Sequence, residues 1–350
     1  MGASAGSITN AFLAVGANDF AGAAQRLVDF WSQIEPHNVF RTDMPTLTRG
    51  AIRWATDLSL GGWIGSGRGK SLLMTDPLRA VLCDRLDMSA IRENIERGRL
   101  RAFALTATNY RTNLAVTFFD GAADIEPWAR STRIGVRQHL TIDHIMASCS
   151  IPIFFPAIQI GGKYYADGCV RLMTPLSPAV HLGAERILAI GVRREEPPDA
   201  RAASPERAEE RDQEPYPTAA ETAGMLLNAL FLEALESDIE RFERINHTMS
   251  LVPPPALKNE RSPLRPIALL VLQPSRDLGR LAEGAIERLP HVVRHLFRGL
   301  GVTPHSGADL LSYLAFDREY TSPLLALGYA DVMARKDELL GFLCPEKTGG

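Results

Sequence analysis

The chain has 350 residues, of which 45% are apolar and 23% are charged, a balance typical of a soluble globular protein. Its formal net charge is only -3, so the charge balance gives no reason to expect a nucleic acid as partner. The sequence shows no signal peptide and no apolar run near the ~20 residues that a membrane helix needs. These features predict a protein that is cytoplasmic or bound peripherally to a membrane. The cysteines are far apart and form no C-x-x-C motif, which argues against a disulfide framework or a zinc site; they are Cys83, Cys149, Cys169 and Cys344.

The chain begins with a G-x-S-x-G motif made of Gly2, Ala3, Ser4, Ala5 and Gly6. This is the pattern of a nucleophile elbow, in which a strand turns sharply into a helix and exposes the serine hydroxyl for attack on a carbonyl. The flanking glycines are expected to keep the turn free of side chains. Apolar residues at helical spacing follow the motif, so the Ala5 N–H is predicted to lie at a helix N-terminus and to donate to an oxyanion. The alternative is a glycine-rich turn without a catalytic role.

Predicted helices and strands alternate along the next part of the chain, as in an α/β protein. The predicted helices run to about residue 34, over 76–86, in 141–149 and over 176–184, and the predicted strands cover 102–108, 115–119 and 187–192.

A charged, proline-rich segment at 194–217 interrupts this pattern and is predicted to be a disordered surface insertion. A long helix over 219–246, a strand over 267–272 and several helices follow it. Between Met225 and Leu235 the long helix is very apolar, which either a buried core helix or a lipid-facing helix would explain. We therefore predict a catalytic core at 1–193, and a helical part at 218–345 whose one strand completes the same domain.

A serine nucleophile needs a base, and the clearest candidate follows a predicted β-hairpin. Residues 158–160 and 163–165 flank the turn Gly161-Gly162, and the second strand leads directly into Asp167 and Gly168. The Asp167 carboxylate is therefore the candidate base, whereas Asp120-Gly121 is interpreted as a plain turn. None of the histidines stands in a glycine-framed loop after a strand, so they are interpreted as surface or structural residues; they are His37, His139, His144, His181, His247, His291, His295 and His305.

Two segments, GASAGSITNAF and the distant ASCSIPIFFPAIQIGGKYYADG, make the chain resemble the patatin-like phospholipase family. In that family the serine of the G-x-S-x-G motif pairs directly with the aspartate of a D-G-[GA] motif, without a histidine. The resemblance implies that Ser4 is the nucleophile and that Asp167 accepts its proton during hydrolysis of a lipid or other acyl ester through an acyl-enzyme. It also implies a three-layer α/β fold, with a mainly parallel sheet between helices, no metal or organic cofactor, and a peripheral contact with membrane lipid.

The sequence departs from the family pattern at two places. Cys169 occupies the third position of the aspartate motif, where the family has glycine or alanine, and its small apolar side chain is expected to be tolerated. The family also places a glycine-rich loop with an arginine or lysine before the elbow, to complete the oxyanion hole. Only Met1 precedes the motif here, so we expect that loop and its strand to be absent, at a cost of ~10²–10³ in rate per lost donor. The rival hypothesis is an impaired, truncated patatin-like protein or a lipid-binding remnant.

The glycine-rich stretch Gly65–Gly69 has the composition of such a loop, but it follows the elbow instead of preceding it. The sequence Gly69-Lys70-Ser71 also ends like a phosphate-binding loop. Ile64 stands where that motif needs its first glycine, and no predicted strand precedes it. We therefore interpret the stretch as a flexible loop.

Overall fold

The computed structural model describes residues 1–43, 45, 71–194, 216, 218–231, 233–252, 265–282, 285–299, 301–302 and 308–344. Gly65–Gly69 and nearly all of the predicted insertion at 194–217 lie outside these described residues. The chain divides into two compact units, the first comprising Met1–Ile187, Glu233–Ile267 and Phe316–Arg318, and the second comprising Leu188–Leu232, Ala268–Ala315 and Glu319–Gly350.

The described strands are β1 (Gly2–Ala3), β2 (Ala102–Asn109), β3 (Ala115–Gly121), β4 (Trp128–Ala129), β5 (Arg133–Arg137), β6 (Ile158–Ile160), β7 (Lys163–Asp167), β8 (Arg186–Ile190) and β9 (Ala268–Leu272).

The described helices are α1 (Ala5–Val15), α2 (Phe20–Ser32), α3 (Pro36–Val39), α4 (Asp76–Arg85), α5 (Ser89–Glu96), α6 (Ile142–Ser148), α7 (Ser177–His181), α8 (Ala219–Phe231), α9 (Glu233–Ser250), α10 (Leu278–Leu281), α11 (Ala285–Arg288), α12 (His291–Gly299), α13 (Ala308–Ser312), α14 (Arg318–Ala334) and α15 (Lys336–Leu343), and a 3₁₀ turn covers Gly168–Val170.

The first unit is an α/β structure built on a central sheet flanked by helices, which confirms the predicted fold class. Its described strands follow the order β4-β5-β3-β2-β7-β6, and β1 pairs with β2 as well. Pairing is parallel for β1 with β2 and for β3 with β5, and it is antiparallel for the other described pairs. The predicted parallel pairing therefore holds for those two pairs. The link between β2 and β3 is too short for a parallel crossover, which needs a dozen or more residues.

Local sequence signals account for several of these elements. The predicted hairpin is confirmed as β6 and β7, and its turn residues Gly161 and Gly162 have φ angles of 56° and 76°. A two-residue turn with positive φ at both positions matches the right-handed twist of the strands, and glycine adopts it without strain. Asp19 caps α2 by accepting a hydrogen bond from the Gly22 N–H at 3.0 Å.

The core of the first unit lies around β2 and β3, whose residues are almost all buried. At one end of these strands Trp128 stacks on Phe119, with ring centroids 5.2 Å apart. The predicted plain turn at Asp120-Gly121 is wrong, since both residues belong to β3. The buried Asp120 carboxylate is compensated by Arg92 at 2.8 Å and by His139 at 3.1 Å.

Strands β8 and β9 form a two-stranded sheet, with the Gly191 N–H donating to the Leu272 carbonyl at 2.8 Å. The strand predicted near 187–192 thus pairs with β9 in this described region and does not extend the larger sheet. The apolar stretch of α8 contains both buried and exposed side chains: Leu227 is buried, whereas Met225 and Leu226 are exposed. None of the described helices combines the length and apolar character needed to cross a membrane.

Candidate active site

Ser4 is the single residue that joins the end of β1 to the start of α1. Its backbone has φ 50° and ψ -135°, a positive φ that is uncommon for a residue with a side chain. Such strain marks a backbone held by its surroundings, and it is the geometry that lifts an elbow serine out of the strand.

The two glycines of the elbow differ in how much space surrounds them for a side chain. A Cβ at Gly2 would lie 2.3 Å from the Gly6 carbonyl oxygen, so only glycine fits at this position. A Cβ at Gly6 would meet nothing within 4 Å among the described atoms, so the expectation that both glycines relieve crowding is wrong for Gly6.

Hydrogen bonds hold the backbone of Ser4 on both sides. The Ser4 N–H donates to Ser148 Oγ at 3.1 Å, and that hydroxyl donates to the Thr106 carbonyl at 2.7 Å. The Ser4 carbonyl accepts from Ser7 Oγ at 2.7 Å and from Cys149 Sγ at 3.1 Å. Burial raises the pKa of Cys149 to about 12, which keeps this thiol protonated as a donor. Together these contacts maintain the strained elbow.

The sheet brings Ser4 and Asp167 together at one point on β2. Strand β3 occupies one edge of β2, and β1 and β7 share the other edge. Because β1 runs parallel to β2 and β7 runs antiparallel to it, the carboxyl ends of β1 and β7 meet. Ala3 pairs with Thr106, and Asp167 pairs with the next residue, Ala107.

Asp167 is completely buried and its backbone is fixed by two hydrogen bonds. Its N–H donates to the Ser150 carbonyl at 2.8 Å, and its carbonyl accepts from Thr108 Oγ1 at 2.8 Å. Its Oδ1 accepts from the Cys169 N–H at 2.9 Å, whereas Oδ2 has no hydrogen-bond partner among the described atoms. A buried carboxylate oxygen without a donor is costly, and here it is the atom free to take up a proton.

Burial raises the pKa of Asp167 to about 7, because the charged carboxylate is poorly solvated. The Ser4 side chain lies near enough to lower the pKa of Asp167, the largest of the opposing effects, without completing a hydrogen bond to Oδ2. A pKa near neutrality suits a group that must accept and return a proton.

A family model described as patatin-like phospholipase matches residues 1–180, just over half of the chain. The chain belongs to the patatin-like phospholipase family. No curated protein matches it. Membership of this family indicates lipid acyl hydrolase activity of the esterase type. The match covers both the elbow and the aspartate motif, and the particular roles of Ser4 and Asp167 remain predictions.

Cys169, which departs from the patatin-like motif, contacts Asp167 through its backbone and also through its thiol. The N–H of residue 169 binds Oδ1, and any amino acid other than proline supplies that donor. Burial raises the pKa of the Cys169 thiol well above its usual value, and the Asp167 carboxylate adds to this. The thiol therefore stays protonated and weakly reactive beside the candidate base.

Three of the described histidines make structural contacts in this patatin-like core. Burial lowers the pKa of His144 to about 4, and its Nδ1 accepts from the Thr141 N–H at 3.1 Å as part of a helix cap. His181 stacks on Trp128, and His139 pairs with Asp120. His305 lies outside the described residues; of the others, none forms a hydrogen bond with Ser4 or Asp167 among the described atoms.

One candidate oxyanion donor is in place. Ala5 is the exposed first residue of α1, so its N–H precedes the hydrogen-bonded part of the helix. The positive end of the helix dipole adds to this donor. Within the described ranges no group of three or more histidine, cysteine or acidic side chains is arranged to hold a metal ion.

Sequence reasoning did not assign three residues that hold the site, namely Ser7, Ser148 and Cys149. The only signal for Ser148 and Cys149 is the run of small residues before the hairpin, Ala147–Ser150, whose spacing does not reveal which backbone groups they bind. The partners of Ser148 and Cys149, namely Ser4 and Thr106, are distant in sequence.

Two glycine substitutions are predicted to have opposite outcomes. A Cβ at Gly168 would lie 2.1 Å from the Thr106 carbonyl oxygen, so Gly168→Ala must displace β7 from β2. We expect a loss of at least about 1–3 kcal/mol in the free energy of unfolding. Gly6→Ala, its control within the same site, is expected to unfold at the wild-type denaturant concentration or above it, because its Cβ meets no described atom and alanine favours a helix. Chemical denaturation checks both, and equal stability of Gly168→Ala and wild type would contradict the contact.

Proposed function

We propose that this protein is a serine acyl hydrolase that cleaves lipid esters through a Ser4–Asp167 dyad. The observation that carries the proposal is the meeting of β1 and β7 on one edge of β2, which sets a strained serine beside a buried carboxyl group. Patatin-like family membership supports a phospholipase or lysophospholipase type of substrate.

In the first half of the proposed reaction, the Asp167 carboxylate takes the proton from Ser4 Oγ as that oxygen bonds to the ester carbonyl carbon. The Ala5 N–H donates to the oxygen that becomes negative. When the tetrahedral intermediate collapses, the bond to the alcohol oxygen breaks, and the alcohol leaves with the proton held by Asp167. The acyl group remains on Ser4.

In the second half, water attacks the acyl-enzyme and gives one proton to Asp167. The bond between the acyl carbon and Ser4 Oγ then breaks, the fatty acid leaves, and Asp167 returns the proton to Ser4. The raised pKa of Asp167 favours both transfers, because a carboxyl group near neutrality accepts a proton more readily than an exposed aspartate.

Covalent labelling tests whether Ser4 is a nucleophile. A fluorophosphonate reacts with an activated serine by displacement of fluoride, and the adduct stays on the oxygen. We expect intact-mass analysis to show one adduct on the native wild-type protein, and peptide mapping to place it on Ser4. Heat-unfolded protein and Ser4→Ala are the controls and should remain unlabelled.

Labelling of Ser4→Ala at the wild-type rate would show that another residue is the nucleophile. A folded wild-type protein that is not labelled at all would favour the rival hypothesis of a lipid-binding protein without catalysis.

A further inference from the structure

The turn between β2 and β3 lies beside the tip of the β6–β7 hairpin. The Tyr110 N–H donates to the Tyr164 carbonyl at 3.1 Å, which joins the two loops. Both tyrosine side chains are about half exposed, at 52% and 51%. With Arg111 and Lys163 they surround a shallow depression of about 250 Å³. We call these four residues the tyrosine surface.

The tyrosine surface carries uncompensated positive charge. Arg111 and Lys163 are exposed and form no ion pair with any residue that the structure describes. Arg171 adds a third cation, since its Nε donates to the Asn113 carbonyl in the same turn at 3.0 Å. The three segments that build this region, 109–114, 158–166 and 168–176, contain no acidic residue.

The support beneath the exposed side chains is rigid. The buried Asn109 side chain accepts hydrogen bonds from the Arg111 N–H at 3.0 Å and from the Thr112 N–H at 2.9 Å. Thr112 Oγ1 donates to the same oxygen at 3.1 Å. A surface that is ordered before binding loses less conformational entropy when a partner binds.

The tyrosine surface lies close to the candidate active site. Tyr164 and Asp167 are both on β7, and three residues of strand span about 10 Å. On β2, Ala107 pairs with Asp167, and Tyr110 follows three residues later. The surface is therefore beyond the carboxyl end of β2, toward which β1 and Ser4 also point.

We propose that the tyrosine surface docks the protein on the surface of an anionic phospholipid bilayer. Tyrosine is suited to the headgroup region, since its ring is apolar and its hydroxyl stays hydrated. Arginine and lysine are attracted to anionic headgroups over a distance of about one Debye length. The proposal rests on the proposed function in one respect, namely that the docked bilayer supplies the acyl ester to Ser4.

Vesicle flotation tests the docking without interference from catalysis when it uses the full chain carrying Ser4→Ala. We expect binding to vesicles of phosphatidylcholine mixed with phosphatidylglycerol, little binding to phosphatidylcholine alone, and weaker binding at high salt. Arg111→Glu with Lys163→Glu should lower the binding constant by at least ~10-fold. Tyr110→Ser with Tyr164→Ser should lower it while leaving the charge unchanged.

The matched control is Arg97→Glu with Arg99→Glu, which changes the net charge by the same amount near the opposite end of β2, where both residues are exposed. It should bind mixed vesicles as the Ser4→Ala parent does. Equal losses in both charge-reversal pairs, or no loss in the Arg111 and Lys163 pair, would overturn the docking surface. Equal binding to both kinds of vesicle would overturn the anionic partner.

A soluble short-chain ester separates this proposal from the proposed function. With Ser4 present, the tyrosine-surface variants should hydrolyse that ester at the wild-type rate. If Ser4-dependent hydrolysis is absent but vesicle binding follows the expected pattern, the proposed function is wrong and the docking surface stands. If hydrolysis depends on Ser4 but the variants bind vesicles as well as their parent, the docking surface is wrong.

Discussion

Replacing Ser4 by alanine is expected to lower the rate of ester hydrolysis at least ~10³-fold, and Asp167→Asn should cause a loss of similar size. Both residues serve the same proton transfer, so the double variant should lose little more than either single variant. The assay is hydrolysis of a short-chain nitrophenyl ester at saturating and subsaturating substrate. The loss is expected in kcat, because both residues act in the chemical step.

His139→Ala and His181→Ala are the controls for this prediction, since both histidines are at least partly exposed and neither contacts the dyad. Each should retain most of the activity. A histidine variant that is folded and as inactive as Ser4→Ala would show that this histidine takes part in catalysis, so that the site would be a triad and not a dyad. Additive losses in the double variant would show that Ser4 and Asp167 act in separate steps.

Asp167→Asn is also expected to change the pH dependence of stability. The pKa of Asp167 rises from the ordinary 3.8 to about 7 on folding, because burial penalises the charged carboxylate. The folded chain therefore holds this proton more tightly than the unfolded chain. The wild type loses stability as the pH rises from about 4 to about 7, and above pH 7 the whole penalty of about 4 kcal/mol is present.

Asparagine removes this titration, although its amide nitrogen would lack a partner where Oδ2 now stands, at a cost of about 1–3 kcal/mol. We expect Asp167→Asn to be less stable than the wild type at pH 4 and more stable at pH 8. Urea unfolding at both pH values measures the difference. Gln159→Glu on the exposed hairpin is a suitable control. It keeps Asp167 and adds an exposed carboxylate, so its stability difference from the wild type should be the same at pH 4 and pH 8. A stability difference between Asp167→Asn and wild type that is independent of pH would contradict the raised pKa.

The sequence alone identified the parts of the candidate site that depend on local conformation. The glycines around Ser4 indicated a sharp turn into a helix, and Gly161-Gly162 indicated the hairpin that ends at Asp167. These signals are local because a turn depends on the φ angles of two or three residues. The links to β2 are less predictable. The local sequence predicts a turn at Asp120-Gly121, because an ion pair with the distant Arg92 cannot be read from the neighbouring residues.

Only the tertiary structure decided how these parts meet. Ser4 and Asp167 are far apart in the chain, and they become neighbours because β1 and β7 approach the same edge of β2 from opposite directions. The supports of Ser4, namely Ser148 and Cys149, come from the end of α6 and the residue after it. The pKa of Asp167 likewise depends on the depth of its burial, which no motif encodes. The sequence therefore determined which residues are candidates for the chemistry, while strand pairing and desolvation, which act between distant segments, decided their arrangement and their proton affinity.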